Sequence, residues 1–395
     1  MTVTPVDTDF KKPSLVLDLG TTGVKGFVFN PDGAVLARVY ERLPRSEPRP
    51  GWVEFDAVGV VDTCEKVLRG ALHQAGVAAS DCAGLGITNQ RETVVVWNRR
   101  NGMPVYPAIG WEDRRTEAWC KEFTVVDPMR SARVREKTGL VVDPYFSASK
   151  IRWILEQGAF SESSPLAAGT LDTWIAWKWT GNHVTDFTNA SRTLVFNIHT
   201  RAWDSELCAL FRIPIEILPA VQPSASDFGE VRREILGSPI SIRAVIGDQQ
   251  SSLFSAGTAP GTVKITYGTG AFIMELLGET CELVDGLSTT LALGPSGASW
   301  YALEGKVEGV VRRAEEFPGG SAQWKKALQS IAVDVERCLE RFPRKPVRIV
   351  VDGGISKFDV LLEFQRIASR CSIERSTTAD ATALGVHQLL QIHKR

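Results

Sequence analysis

Cysteine is sparse in this chain, basic residues are not in surplus, and no apolar run is long. The seven cysteines (Cys64, Cys82, Cys120, Cys208, Cys281, Cys338 and Cys371) are odd in number, scattered, and show no C-x-x-C spacing. That pattern argues against a disulfide framework and against a zinc site, and the thiols are expected to be buried. Net charge is −1 and the pI is about 6.6, so no basic surface points to a nucleic-acid partner. No stretch approaches the roughly 18 apolar residues of a membrane span, and MTVTPVDTDFKK lacks the apolar core of a signal peptide. The expectation is a cytoplasmic protein without a membrane span.

What is present is an ordinary globular composition, 44% hydrophobic and 23% charged, over 395 residues. Single cores stop growing near about 250 to 300 residues, so two domains around a cleft are expected. The stretch Val245–Phe272 organises the reading. Val245 and Ile246 end an apolar strand, Gly247 turns the backbone, and Asp248 stands at the strand's exit before a helix-like QQSSLFSAG. Two β-branched runs, TVKIT and AFIMEL, then flank Tyr267-Gly268-Thr269-Gly270, a turn whose glycines expose N–H groups beside a hydroxyl. Such a turn can hold a phosphate. Taken singly, each piece also reads as a helix-capping aspartate and an ordinary hairpin.

A similar turn opens the chain. SLVLDLGTTGVKGFVFNPDGAVLARVY reads as three strands of a meander, with Asp18 ending the first, Gly20, Thr21, Thr22 and Gly23 in the turn, and Lys25 just beyond. No G-x-x-x-x-G-K-[ST] is present and the turn leads into a strand, which excludes a Walker A loop. A helix is predicted from Val58 to Ala75, ending at Gly76, followed by the strand LGITNQ, the pair Arg91 and Glu92, and the strand TVVVW. Charged residues at a strand end can be ligand-binding, although an adjacent opposite pair reads equally as a solvated surface feature. Trp111 to Thr116 is read as opening a helix, and Tyr145 precedes another from Ser149 to Gln157. A Trp-rich helix spans Leu171–Thr180, and HVTDFTNASRTLVFNI is read as strand or loop returning to the sheet. Beyond the hairpin come a strand SWYALEG and a helix from Ser321 to Phe342 with Trp324, Leu328, Ile331, Val335, Cys338 and Phe342 on one stripe. The strand-to-glycine pattern recurs in VRIVVDGGIS, with Gly353 and Gly354, before helices Asp359–Ser369 and one from Asp380 to about His393.

DLGTTGVKGFVF, GITNQRETVVVW, GWEDRRT, TLDTWIAWKWTG, VTDFTNASRTLVFNI, GDQQSSLF, TYGTGAF, YALEG, VDGGIS and ATALG, in that order, resemble the FGGY family of carbohydrate kinases, and within it the glycerol kinases. The resemblance implies an α/β, actin-like ATPase (ribonuclease H-like) fold of two domains. It divides the chain into a polar tail (1–14), a polyol-binding domain (15–250) and a nucleotide-binding domain (251–395). It further implies ATP-dependent phosphorylation of a small polyol, glycerol first, with ATP and Mg2+ as cofactors. The polyol site would be Arg91, Glu92, Tyr145, Asp248 and Gln249, with Trp111 as a wall, and Asp248 would be the catalytic base. Gly20, Thr21, Thr22, Lys25, Gly268, Thr269, Gly353 and Gly354 would hold the nucleotide's phosphates, and Asp18 and Asp248 the metal. Glycerol kinases usually carry arginine where Lys25 stands, so the charge is kept and the bidentate fork is lost.

The chain departs from that pattern after YALEG. Where glycerol kinases carry a long segment, it has only KVEGVVRRAEEFPGGSAQ, a shortening near 306–322, and the glycine pair at 353–354 lacks a following asparagine. Two readings stay open: a compact kinase, and a kinase-derived polyol-binding or regulatory protein that transfers no phosphate. A homo-oligomer is compatible with both.

Overall fold

The computed structural model describes residues 12–158, 165–378 and 380–392; the start of the polar tail and His393 lie outside them. The chain divides into two units, one running to Asp248 and resuming at Val386, the other Gln249–Gly385. The boundary therefore falls between Asp248 and Gln249, two residues before the expected one, and the end of the chain returns to the first unit. A packing contact explains that return. Gly86 has no side chain, and Val386 and Leu390 occupy the space where a Cβ would stand.

Strands β1 (Ser14–Leu19), β2 (Gly23–Phe29) and β3 (Val35–Arg42) form the antiparallel meander, and β4 (Leu85–Asn89) and β5 (Ile240–Gly247) run parallel to β1. The order is β5-β4-β1-β2-β3, with the short strand Glu230–Val231 antiparallel at the β5 edge. The helix Ala57–Ala75 starts at Asp56, whose side chain accepts from the Val58 amide, and stops at Gly76 in a left-handed conformation. It buries Val61, Cys64, Leu68 and Leu72, which recur at helical spacing, with Ala75 half-buried. Gly26 permits the close fit, because a Cβ there would lie 2.5 Å from the Val67 carbonyl oxygen.

A second sheet in this unit joins Val94–Asn98 to Leu166–Thr170 and to the short strands Glu54–Phe55, Met103–Pro104 and Ala108–Ile109. No helix begins at Trp111. Asp113 is buried and its carboxylate accepts from the Val53 amide (2.6 Å) and from Arg115, which fixes residues 111–116 as a turn, and the helix starts at Glu117. HVTDFTNASRTLVFNI likewise does not rejoin the main sheet: Val184–Asp186 pairs with Ala220–Gln222 and is followed by the short helix Phe187–Ala190.

The second unit repeats the plan. Strands β6 (Thr262–Tyr267), β7 (Ala271–Gly278), β8 (Ser288–Leu293), β9 (Ser299–Val307), β10 (Arg348–Asp352) and β11 (Ser372–Arg375) lie in the order β8-β9-β7-β6-β10-β11. Within this sheet β9-β7-β6-β10-β11 matches β3-β2-β1-β4-β5 in both order and direction, with β8 added at one edge. The helix Ala322–Leu339, capped by Ser321, buries Trp324, Leu328, Ile331, Val335 and Cys338 on the expected stripe, with Phe342 buried just beyond. In the shortened region the chain makes only the helix Val310–Glu315. The cysteines are buried except Cys281 and Cys371, which are half-buried.

One carboxyl group in the core of this unit stands without a hydrogen-bonding partner. Glu275 on β7 lies between Val263 and Leu303, fully buried, with both carboxylate oxygens lacking a hydrogen-bond partner. Burial, with a smaller push from Glu282 and an opposing pull from Arg344, raises its pKa from 4.5 to about 7. Below pH 4.5 both folded and unfolded chains hold the proton. Between pH 4.5 and 7 only the folded chain keeps it, so its contribution to stability falls as pH rises and levels off above 7. Glu275→Gln is expected to stabilise the second unit by on the order of 2 kcal/mol at pH 8 and by little at pH 4. Thermal unfolding at the two pH values checks this; an equal change at both contradicts it.

Candidate active site

Three parallel strands, β1, β4 and β5, end together. In register, Leu19 faces Asn89 and Asn89 faces Gly247, so the residues that follow emerge along one edge of the first sheet. Carboxyl ends of parallel strands are where open α/β sheets bind ligands. Asp18, one residue before the end of β1, and Asp248, just after β5, flank β4 and stand about 10 Å apart by strand spacing.

The β1–β2 turn is closed by the Gly20 amide donating to the Gly23 carbonyl at 3.0 Å. Thr21 accepts the indole N–H of Trp111 on Oγ1 (2.9 Å), which leaves its hydroxyl proton to donate. Thr22 is exposed at the tip. Lys25 Nζ lies 3.0 Å from Asp18 Oδ2, so a carboxylate and an ammonium stand together beside the turn.

After β4 the chain buries both members of the Arg91-Glu92 pair, which are 2% and 1% exposed and therefore not a surface pair. Glu92 has φ 63°, a left-handed conformation that costs a residue with a Cβ about 1 kcal/mol or more. Its carboxylate is held by Arg192, whose Nε approaches Oε1 at 2.7 Å, with Arg91 Nε at 3.8 Å. Arg91 Nε also faces Asp248 Oδ1 at 3.4 Å, and its Nη2 donates to the Tyr145 hydroxyl at 3.4 Å. Arg192, Glu92, Arg91 and Asp248 thus form a ladder of alternating charge. Asp248, at 27% side-chain exposure, is its open end, since the other three rungs are at most 2% exposed. Trp111 and Tyr145 meet edge to face at 5.5 Å, and Arg192 stacks over Tyr145 and Phe146 at 5.6 and 5.0 Å. The result is a cluster of two aromatic rings with a guanidinium and a carboxylate beside them.

Gln249 is half-buried and opens the second unit. In that unit the turns at 268–270 and 353–354 leave β6 and β10, which are adjacent and parallel with Thr266 facing Asp352. Gly353 has φ 87°, and a Cβ on it would lie 2.3 Å from the Tyr267 carbonyl oxygen, so the two turns touch. Thr269, Gly353 and Gly354 are exposed, and the Thr269 carbonyl accepts from the Val310 amide at 3.1 Å. Beneath them Lys264, fully buried, is paired with Asp352, which also accepts from Ser252 at 2.9 Å. Burial lowers the pKa of Lys264 against the opposing pull of Asp352.

Asp18, paired with Lys25, and Asp248, paired with Arg91, are the carboxylates that the sequence assigned to a cation at the strand ends, and among the described residues no three His, Cys, Asp or Glu side chains converge. That donor set fits magnesium, which is commonly held by one or two carboxylates together with substrate phosphates.

Residues 14–255 match the FGGY family of carbohydrate kinases, N-terminal domain. The chain belongs to this family. A glycerol kinase of Delftia acidovorans is 46% identical over 319 residues, which is 78% of this chain and 62% of that protein. A glycerol kinase of Acidovorax ebreus is 38% identical over 445 aligned positions, covering 95% of this chain and 89% of the relative. That alignment is longer than the chain's 395 residues, so the relative carries a segment that this kinase lacks. Among solved structures, Plasmodium falciparum glycerol kinase with ADP superposes with a TM-score of 0.85 at 24% identity, covering 95% of this chain and 89% of that one. The kinase therefore has the actin-like fold.

Sequence reasoning singled out Arg91, Glu92, Trp111, Tyr145 and Asp248, which the structure brings together, and missed Arg192. A signal was available, since an arginine in TNASRTLVF, among small and apolar residues with no other charge, needs an anionic partner once that segment is buried. Removing one partner of a buried pair leaves the other charge uncompensated. Arg192→Met alone is expected to destabilise the first unit by about 3 kcal/mol, and Arg192→Met with Glu92→Gln by less than the sum of the two single changes. Denaturant unfolding of the four proteins measures the coupling, and strict additivity contradicts the ladder.

Proposed function

We propose that this kinase transfers the γ-phosphoryl group of ATP to a primary hydroxyl of a small polyol, glycerol first, giving the polyol phosphate and ADP. The observation that carries the reading is the buried charge ladder whose one open rung is Asp248. Arg91, Glu92, Tyr145, Asp248 and Gln249 pair with the polyol's hydroxyls while Trp111 covers its carbon skeleton. Asp248 accepts the proton of the attacking hydroxyl as its oxygen bonds to the γ-phosphorus and the bond to the bridging β–γ oxygen breaks.

In phosphoryl transfer, positioning and charge stabilisation outweigh the base itself. The groups assigned to that task are the amides and hydroxyls of Gly20, Thr21, Thr22, Gly268, Thr269, Gly353 and Gly354, with the ammonium of Lys25. Asp18 and Asp248 would hold magnesium, which supplies charge neutralisation across the phosphate oxygens. The protein acts on a diffusible small molecule, in the cytoplasm and without nucleic acid. No helix among the described residues is long and apolar enough to cross a membrane. The missing segment favours a second reading, a polyol binder that transfers no phosphate.

Two substitutions test the assignment. Asp248→Asn is expected to lower kcat about 10²- to 10⁴-fold with a native unfolding profile, and retained turnover removes Asp248 from the base role. Arg91→Ala is expected to raise the polyol KM and lower kcat/KM by roughly 10- to 100-fold. Steady-state kinetics with the polyol varied reads this out, and unchanged constants refute polyol binding by Arg91.

A further inference from the structure

The three strand-end features of the site are tied from beneath by one buried segment, 186–192. Its first arm is a reciprocal amide pair. Asn189 Nδ2 donates to Asn89 Oδ1 at 3.1 Å and Asn89 Nδ2 donates to Asn189 Oδ1 at 2.9 Å, which fixes the end of β4 two residues before Arg91. Its second arm is Arg192 on Glu92. The third reaches the base. Thr188 Oγ1 donates to Asp186 Oδ2 at 2.6 Å, and the same oxygen accepts the Gly247 amide at 2.8 Å. Gly247 is bonded directly to Asp248.

Asp186 is itself fully buried and held by the Ser224 hydroxyl at 2.6 Å and by the amides of Thr188 and Asn189 at 2.9 and 3.0 Å. A carboxylate that takes the threonine's proton leaves only lone pairs for Gly247, so the hydroxyl has one orientation and the peptide ahead of Asp248 has one position.

We propose that Thr188 is a positioning residue for phosphoryl transfer: through Asp186 and the Gly247 amide it sets the aim of the Asp248 carboxylate. It touches neither substrate. The inference rests on the proposed role of Asp248, and its test keeps the two apart.

Three variants are compared: Thr188→Val, which keeps shape and removes the hydroxyl; Thr188→Ser, which restores it; and Thr185→Val. Thr185 Oγ1 makes an equally buried 2.6 Å bond to Asp172, and that bond does not involve the Thr188 hydroxyl or the Gly247 amide, so its loss reports the cost of removing a buried threonine hydroxyl beside the same segment. Thr188→Val is expected to lower kcat about 10- to 100-fold, the scale of a misplaced catalytic group, with the KM for ATP little changed. Thr188→Ser returns kcat to within about twofold of the parent, and Thr185→Val lowers Tm comparably while keeping kcat. Hydrogen exchange at the Gly247 amide gives a readout independent of turnover, with protection lost in Thr188→Val and kept in Thr185→Val. Unchanged Gly247 exchange overturns the proposal, as does loss of kcat that merely follows Tm across both valine variants. If the parent itself turns over no ATP, the kinase reading fails, and the exchange result alone decides whether Thr188 holds the strand end.

Discussion

The arrangement at the ends of β1, β4 and β5 depends on compensating buried charge. Two guanidiniums and two carboxylates alternate from Arg192 through Glu92 and Arg91 to Asp248, and only the last is open. An isolated charge in that environment would cost several kcal/mol, so each rung is retained only because its neighbour is present. The left-handed backbone at Glu92 adds strain that such a network can hold in place. The consequence is an Asp248 carboxylate whose partners cannot easily rearrange, the preorganisation that its proposed role in phosphoryl transfer would use.

The repeated strand order explains where the remaining parts lie. Each unit has a meander whose first turn is glycine-rich and a parallel pair of strands beside it, so each places a glycine-rich turn at its strand ends. In the second unit the six-stranded sheet is complete although the chain lacks a segment found in the Acidovorax relative. The Val310 amide at the start of the helix Val310–Glu315 donates to the Thr269 carbonyl, which links the shortened region directly to the turn at Gly268–Gly270. A compact second unit is therefore compatible with an ordered turn at Gly268–Gly270.

The parts legible in the sequence were those with a period or a special residue. Alternating β-branched runs marked β1, β2, β6 and β7, a 3.6-residue stripe marked the helix Ala322–Leu339, and Gly76 marked a helix end. Position at strand ends brought Asp248 and the Arg91-Glu92 pair to notice, and family resemblance supplied the roles expected of them and of Tyr145. What escaped was non-local. Two adjacent opposite charges look the same whether solvated or buried, and Arg192 becomes meaningful only once residue 92 is known to lie against it. The segment 184–190 has neither strand nor helix period because its polar groups answer to Gly247 and Asn89, dozens of residues away. The return of the chain end to the first unit depends on the space above Gly86, which no local propensity encodes. The edge strand β11 is four residues long and mostly exposed, too little for a hydrophobic signal.

The most direct test of the account follows the fate of the phosphoryl group in the unmodified protein. ATP, magnesium and glycerol are incubated with it, and phosphorus NMR is used to detect the product. A glycerol-dependent phosphomonoester appearing in equal amount with ADP is the predicted result. ADP and inorganic phosphate without a phosphomonoester, or no conversion while calorimetry shows glycerol bound, would contradict it and leave a polyol-binding protein built on a kinase frame.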